Sequence, residues 1–281
     1  MVERQGILAQ IAAFVFVLAG GIFMFATMQR QLIYFPQVEA EESLLRLAGR
    51  MDLLDWRDDR GRLIGWHSQP AGGHPRRVVV FHGNAGYALH RDYYVDGFLA
   101  RDQDWQVYLF EYPGYGARPG EPSESGIQAA ATAAVQLLLD DSAQPLYLVG
   151  ESLGSGVASY LAARFPMQID GMLLVTPFTS LTDVAAYHYR FLPVRALLSE
   201  RYDSVEALSH YGGPVGFLLA GSDEIVPPAL GRRLYNSYRG PRWLHIEPGA
   251  GHNSLSYSPS AQWWRDVSQF LTTDRSGSAG L

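Results

Sequence analysis

The chain has 281 residues, room for one large domain or two small ones, and its 47% hydrophobic content is ample for a core. A net charge of −6 argues against a nucleic-acid partner, which would need a basic stripe. The lack of cysteine excludes disulfides, a zinc–thiolate site and a cysteine nucleophile, while leaving the redox compartment open.

Ile7 to Met28 is apolar except for Gln10 and Thr27 and carries no charge. Such a run is long enough to cross ~30 Å of hydrocarbon as a helix. A cleaved signal peptide is the rival reading, but its apolar core is usually only ~7–15 residues. The expectation is therefore a single-pass anchor over residues 1–30. Arginines on both sides of the run leave the facing compartment open.

Gln29 to Pro36 leaves the anchor, with Tyr34 and Phe35 at interfacial depth. Met51–Trp56 and Leu63–Ser68, joined by Asp58-Asp59-Arg60-Gly61, predict an antiparallel hairpin. Arg77–Phe81 then predicts a buried strand that runs into His82-Gly83-Asn84-Ala85-Gly86. A loop of small residues at a strand end exposes backbone N–H groups, which suits half of an oxyanion hole formed by the Asn84 amide. His82 starts this loop and reads as a brace for it rather than a general base. No G-K-[ST] follows, so a phosphate cradle has no support.

Gln106–Tyr112 is the next strand, followed by Pro113-Gly114-Tyr115-Gly116. Tyr115 is a candidate for the substrate rim, with local turn packing as the alternative. Ser123 or Ser125 caps a helix that carries Ile127, Ala130, Ala134, Leu137 and Leu138.

Leu146–Val149 is an apolar run suited to a strand buried on both faces, and Gly150-Glu151-Ser152-Leu153-Gly154 follows at once. Beyond it Val157, Tyr160, Leu161 and Phe165 recur at helical spacing. Strand, G-x-S-x-G and helix in that order make a nucleophile elbow: a strained turn lifts the Ser152 hydroxyl clear, beside a helix N-terminus that favours negative charge. The Leu153 amide is the second oxyanion donor. By itself the pentapeptide also fits a glycine-rich turn whose serine only caps the helix.

Gly171–Val175 is a strand that leads to Phe178, a candidate wall for substrate. Residues 183–203 read as partly helical and too short for a large lid. Pro214–Ala220 is a strand followed by Gly221-Ser222-Asp223, and Trp243–Ile246 one followed by Gly251-His252-Asn253. The order Ser152, Asp223, His252 then suits nucleophile, acid and base, with Glu224 and Asp183 as alternative acids. A helix over Gln262–Leu271 closes a catalytic domain of residues 31–271, and residues 272–281 read as a disordered tail. Buried strands alternating with amphipathic helices imply an α/β fold with a mainly parallel sheet covered on both faces.

Together, Arg30-Gln31-Leu32-Ile33-Tyr34-Phe35-Pro36, Phe81-His82-Gly83-Asn84-Ala85-Gly86, Tyr112-Pro113-Gly114-Tyr115-Gly116, Pro122-Ser123-Glu124, the pentapeptide at Ser152, Ala220–Pro227 and Gly251-His252-Asn253 resemble the membrane-anchored α/β-hydrolase-domain serine hydrolases. That family is related to the prolyl-oligopeptidase and dienelactone-hydrolase branches. The resemblance implies the α/β-hydrolase fold, with Ser152 as nucleophile, Asp223 as acid and His252 as base. It also implies cleavage of esters or thioesters of acyl-chain or lipid-like substrates, with no cofactor and no metal. Such enzymes often carry arginine where this chain has Pro113. A peptidase of the same fold and a catalytically idle membrane-bound binding protein remain as alternatives.

Overall fold

The computed structural model describes residues 28–69, 72–73 and 75–273, with isolated positions (10, 13, 16, 20, 21 and 24) before them. In chain order its elements begin with strand β1 (Phe35–Pro36), helix α1 (Glu41–Arg50), β2 (Leu53–Arg57), β3 (Leu63–Ser68), β4 (Arg76–Phe81) and β5 (Ala85–Gly86). Helix α2 (Tyr93–Leu99), β6 (Trp105–Phe110), α3 (Glu124–Asp141), β7 (Leu146–Glu151), α4 (Leu153–Arg164) and β8 (Gly171–Val175) follow. After them come α5 (Leu181–His188), α6 (Val194–Leu197), α7 (Ser204–Ser209), β9 (Val215–Ala220), α8 (Pro228–Ser237), β10 (Arg242–Glu247) and α9 (Gln262–Thr272).

The main sheet has the order β10-β9-β8-β7-β4-β6-β3-β2. From β10 to β6 neighbouring strands are parallel; β3 and β2 add an antiparallel edge. Alternation within each strand explains why both faces need cover. In β7, Leu146 and Leu148 pack toward α3, α4 and α8, while Tyr147 and Val149 pack toward α2 and α9. Fully burying one such side chain stabilises by ~1.5–3 kcal/mol, so exposing either face would be prohibitive. This is the mainly parallel, doubly covered sheet of the α/β-hydrolase fold.

Four helices lie outside the expected elements: the six-residue α7, just past residue 203, and α1, α2 and α8, each of these three for a local reason. In α1 only Leu44 and Ala48 are buried, too narrow a stripe to stand out. Helix α2 is a short segment with Gly97 in its middle. Helix α8 has Pro228 at its start and Gly231 inside, which read as breakers. A Cβ on Gly231 would sit 2.5 Å from Leu219 Cδ2, so this glycine is there for close packing on β9.

The boundary expected between residues 30 and 31 cuts through contacts of the fold. Gln29 Oε1 accepts the Ser199 N–H at 2.8 Å, and Arg30 Nε donates to Glu200 Oε1 at 2.9 Å. The expected span Ile7–Met28 lies outside the described residues, apart from Met28 and the isolated positions. Among the described residues no helix is long and apolar enough to cross a membrane. The expected tail lies outside them too from residue 274, whereas Thr272 ends α9.

Candidate active site

In a parallel sheet, ligands bind at the C-terminal strand ends where the strand order reverses. Here β4 has β6 on one side and β7 on the other, so the crevice opens between the ends of β4 and β7. At the end of β7, Ser152 takes φ 52° and ψ −117°, a left-handed conformation that costs a side-chain-bearing residue on the order of 1–3 kcal/mol. Surrounding contacts over-determine it: Ser152 N–H donates to Val175 O at 2.8 Å, and α4 starts at the next residue. Both glycines of the pentapeptide are sterically required. A Cβ on Gly150 would lie 2.4 Å from Gly154 O, and one on Gly154 only 2.0 Å from Phe81 O.

Asp223 and His252 come to Ser152 from the loops after β9 and β10. His252 Nε2 lies 3.0 Å from Ser152 Oγ, and its Nδ1 lies 2.7 Å from Asp223 Oδ2. The other carboxylate oxygen of Asp223 accepts the N–H groups of Ile225 (2.9 Å) and Val226 (2.7 Å), which locks its plane. An ionised carboxylate at Nδ1 requires the ring proton there and turns the Nε2 lone pair toward the hydroxyl. Asp223 is buried, whereas Glu224 points to solvent. Asp183 is engaged elsewhere, accepting from Thr179 Oγ1 (2.5 Å) and Arg195 Nη2 (2.6 Å). Burial alone would raise the Asp183 pKa, but these donors hold it below the ordinary carboxylate value.

The loop after β4 lies against the elbow. Asn84, Ser152 and Leu153 line one cavity. Leu153 opens α4, so its N–H has no intrahelical partner, and among the described residues neither its amide nor that of Asn84 is spent on a loop or turn carbonyl. His82 is buried and its Nδ1 lies 2.7 Å from Gly83 O. Gly83 O and Asn84 N–H belong to the same planar peptide, so this bond sets the direction of the Asn84 N–H. Tyr112 adds a hydroxyl donated to His82 O at 2.8 Å.

Beneath the loop, Glu151 accepts from Arg91 Nε (3.1 Å), Tyr93 OH (2.6 Å) and Tyr94 OH (3.2 Å). Burial lowers the Arg91 pKa, yet the adjacent Glu151 carboxylate more than offsets this and keeps the guanidinium charged. No sequence signal marks Arg91 or Tyr93; only Glu151 sits inside a recognisable motif.

Of the two candidate substrate contacts, Phe178 lines the cavity and Tyr115 does not. Tyr115 is fully buried behind the loop, packs on Tyr112 and His82, and donates its hydroxyl to Asn84 O at 2.7 Å. With the turn at Gly114 (φ +85°) just before it and its hydroxyl on Asn84 O, it braces the loop rather than the rim. The cavity encloses about 430 Å³. Leu181, Val184, Leu192, Leu198 and Val226 give it an apolar wall, and the chain before β1 adds Leu32 and Ile33. Sequence reasoning gave those two no substrate role, because they sit in the stretch read as leaving the anchor. Among the described residues no three His, Asp or Glu side chains converge on a metal position.

The family model for the alpha/beta hydrolase fold matches residues 76–206. The uncharacterised protein Rv2307c of Mycobacterium tuberculosis is 38% identical over 271 residues, covering 93% of this chain and 94% of that one. Lysophosphatidylserine lipase ABHD12 of Danio rerio is 31% identical over 199 residues, 64% of this chain and 52% of its own, so the chain spans about half of that relative. Among solved structures, the Pyrococcus furiosus esterase Pf2001 has a TM-score of 0.64 at 14% identity, over 85% of this chain and 97% of that one. At that identity the likeness is one of fold.

Proposed function

The chain belongs to the alpha/beta hydrolase fold family, and on that premise we propose that it is a serine hydrolase of acyl esters or thioesters. The observation that carries this reading is the hydrogen-bonded chain from Ser152 through His252 to Asp223, opening on an apolar cavity. His252 Nε2 takes the Ser152 proton as Oγ attacks the carbonyl carbon. Asp223 holds the ring in the tautomer this needs and stabilises the imidazolium. The amides of Asn84 and Leu153 receive the oxyanion; a single well-placed donor of this kind is worth about 10²–10³ in kcat. His252 then protonates the leaving alcohol or thiol, and water enters by the same steps in reverse to release the acid.

The cavity supports an acyl substrate. Its wall is mostly apolar, with Gln29, Asn84 and His188 as polar exceptions beside Ser152, and each methylene buried there contributes ~0.8 kcal/mol. The relative named a lysophosphatidylserine lipase makes single-chain lipid esters the first to try. Attachment to a membrane through Ile7–Met28 belongs to the same proposal, supported by the uncharged apolar run that leads into residues 28–33. Such protein would resist extraction by salt or alkali.

The test is Ser152→Ala. It should remove turnover by on the order of 10⁶ while leaving the melting transition in place. Covalent labelling by a fluorophosphonate should vanish with it. Labelling of another serine, with Ser152 untouched, would sink the assignment.

A further inference from the structure

The backbone that carries the Asn84 amide is held from outside its own loop. Asn84 Nδ2 donates to Ile33 O at 2.7 Å, and Asn84 O accepts the Phe35 N–H at 2.8 Å. Phe35 pairs with Ala85 and Pro36 with Gly86, forming the β1–β5 ladder, and Gln37 N–H extends it to Gly86 O at 3.0 Å. The loop itself is made of small residues between Gly83 and Gly86, the latter at φ +90°. It has little side-chain packing of its own to fix a peptide plane.

The segment that grips the loop is also fastened to a second, buried part of the fold. Glu200 is buried and accepts from Arg30 Nε at 2.9 Å, from the Tyr34 hydroxyl, and from the Glu124 N–H at the start of α3. The Tyr34 hydroxyl also lies 2.9 Å from that of Tyr202. Burial pushes the Tyr34 pKa far up, which keeps it a donor. Between the two fastenings, Leu32 and Ile33 line the cavity. One continuous stretch thus touches a buried carboxylate, the acyl cavity and the backbone of the oxyanion loop.

We propose that residues Arg30–Pro36 are a positioning strap for the oxyanion donor, in which the Asn84 side chain ties the loop down and Glu200 is the fastening post. This rests on the reading of Ser152 as nucleophile and the Asn84 amide as donor. The strap touches no reacting atom; it acts by holding the direction of one N–H. Whatever displaces the segment that leads into Arg30 acts on the chemical step, and the cavity wall moves with it.

The experiment compares a soluble short-chain ester with its thiono counterpart, in which C=S replaces C=O, on the full chain. An oxyanion hole discriminates strongly between the two, because the larger, softer sulfur anion is a poor acceptor for the same donors. The oxo-to-thiono ratio of kcat therefore reports donor placement, whereas general loss of folded enzyme lowers both rates alike. Asn84→Ala keeps the backbone N–H and removes the tie to Ile33. It should lower kcat for the oxo ester by roughly tenfold, less than outright loss of a donor. KM should stay nearly unchanged, and the ratio should shrink. The double variant Arg30→Gln/Tyr34→Phe, which leaves every Asn84 contact in place, should shift the ratio in the same direction. If Asn84→Ala fails to fold, the double variant decides alone. An unchanged ratio in folded variants overturns the strap. Persistent turnover in Ser152→Ala, run alongside, would instead overturn the underlying reading of the site, a result that a change in ratio does not mimic.

Discussion

Gly154→Ala tests how tightly the elbow is pressed against the oxyanion loop. The added Cβ would lie 2.0 Å from Phe81 O, 2.6 Å from Phe81 C and 2.8 Å from His82 O. Ordinary contact begins at 3.4 Å, so the end of β4 and the start of α4 must part by about 1.4 Å (3.4 − 2.0). The opposing atoms are backbone in the middle of a parallel sheet and cannot rotate away as a side chain would. Overpacking of this kind costs ~1–3 kcal/mol. For a domain of this size that lowers Tm by roughly 2–12 °C, at ~2–4 °C per kcal/mol. His82, Gly83 and Asn84 ride on the displaced strand end, and a shift of ~1 Å at a catalytic group can cost about 100-fold in rate. The assay is a thermal melt followed by circular dichroism, together with kcat for a p-nitrophenyl ester well below either midpoint. Gly212→Ala is the control: nothing lies within 4 Å of its added Cβ, and surface changes of that sort stay within about 0.5 kcal/mol. A Gly154→Ala protein with unchanged Tm and nearly unchanged kcat would refute the close approach of β4 and the elbow as the device that places the donor.

Asp223→Asn should keep the fold and lower kcat by roughly 10⁴, because an amide at Nδ1 favours the wrong imidazole tautomer. Glu224→Gln and Asp183→Asn should leave kcat close to wild type, since neither carboxylate faces His252; the reverse pattern would show the acid to be another residue. Extending an ester acyl chain from two to eight carbons should raise kcat/KM, with about 5 kcal/mol of burial as the upper bound for six methylenes. A fall along that series, or preference for aminoacyl anilides over esters, would favour a short-ester or peptidase reading. A chain beginning at Gln37 lacks β1, three cavity residues (Gln29, Leu32 and Ile33) and the tie on Asn84. Its kcat/KM on a soluble ester should drop by roughly tenfold or more, and full activity would show the arm to be dispensable.

Much of this architecture was legible in the sequence because burial leaves a local imprint. A strand covered on both faces must be apolar throughout, which is why Leu146–Val149 and Val215–Ala220 stand out without any partner in view. A strained turn squeezed between strand and helix needs glycine on both sides, so the surroundings of Ser152 carry their own signature. Chain order alone placed Asp223 and His252 on successive strand ends, beside each other across the sheet.

Only the tertiary structure separates the three acids by direction and partner: Asp223 meets His252, Glu224 is exposed and Asp183 is engaged by Thr179 and Arg195, none of which composition encodes. The two readings of Tyr115, substrate rim or local turn packing, are separated in the same way: a tyrosine in a turn reads identically whether it faces a ligand or props a backbone carbonyl. Local pattern places Tyr34 and Phe35 of the arm at interfacial depth and gives the arm no partners in the domain, because those partners, Asn84 and Glu200, lie about 50 and 170 residues away. Local pattern reports which residues must leave water. Which distant groups they meet on leaving it is set by the folding of the whole sheet, and the placement of the Asn84 amide belongs to that second class.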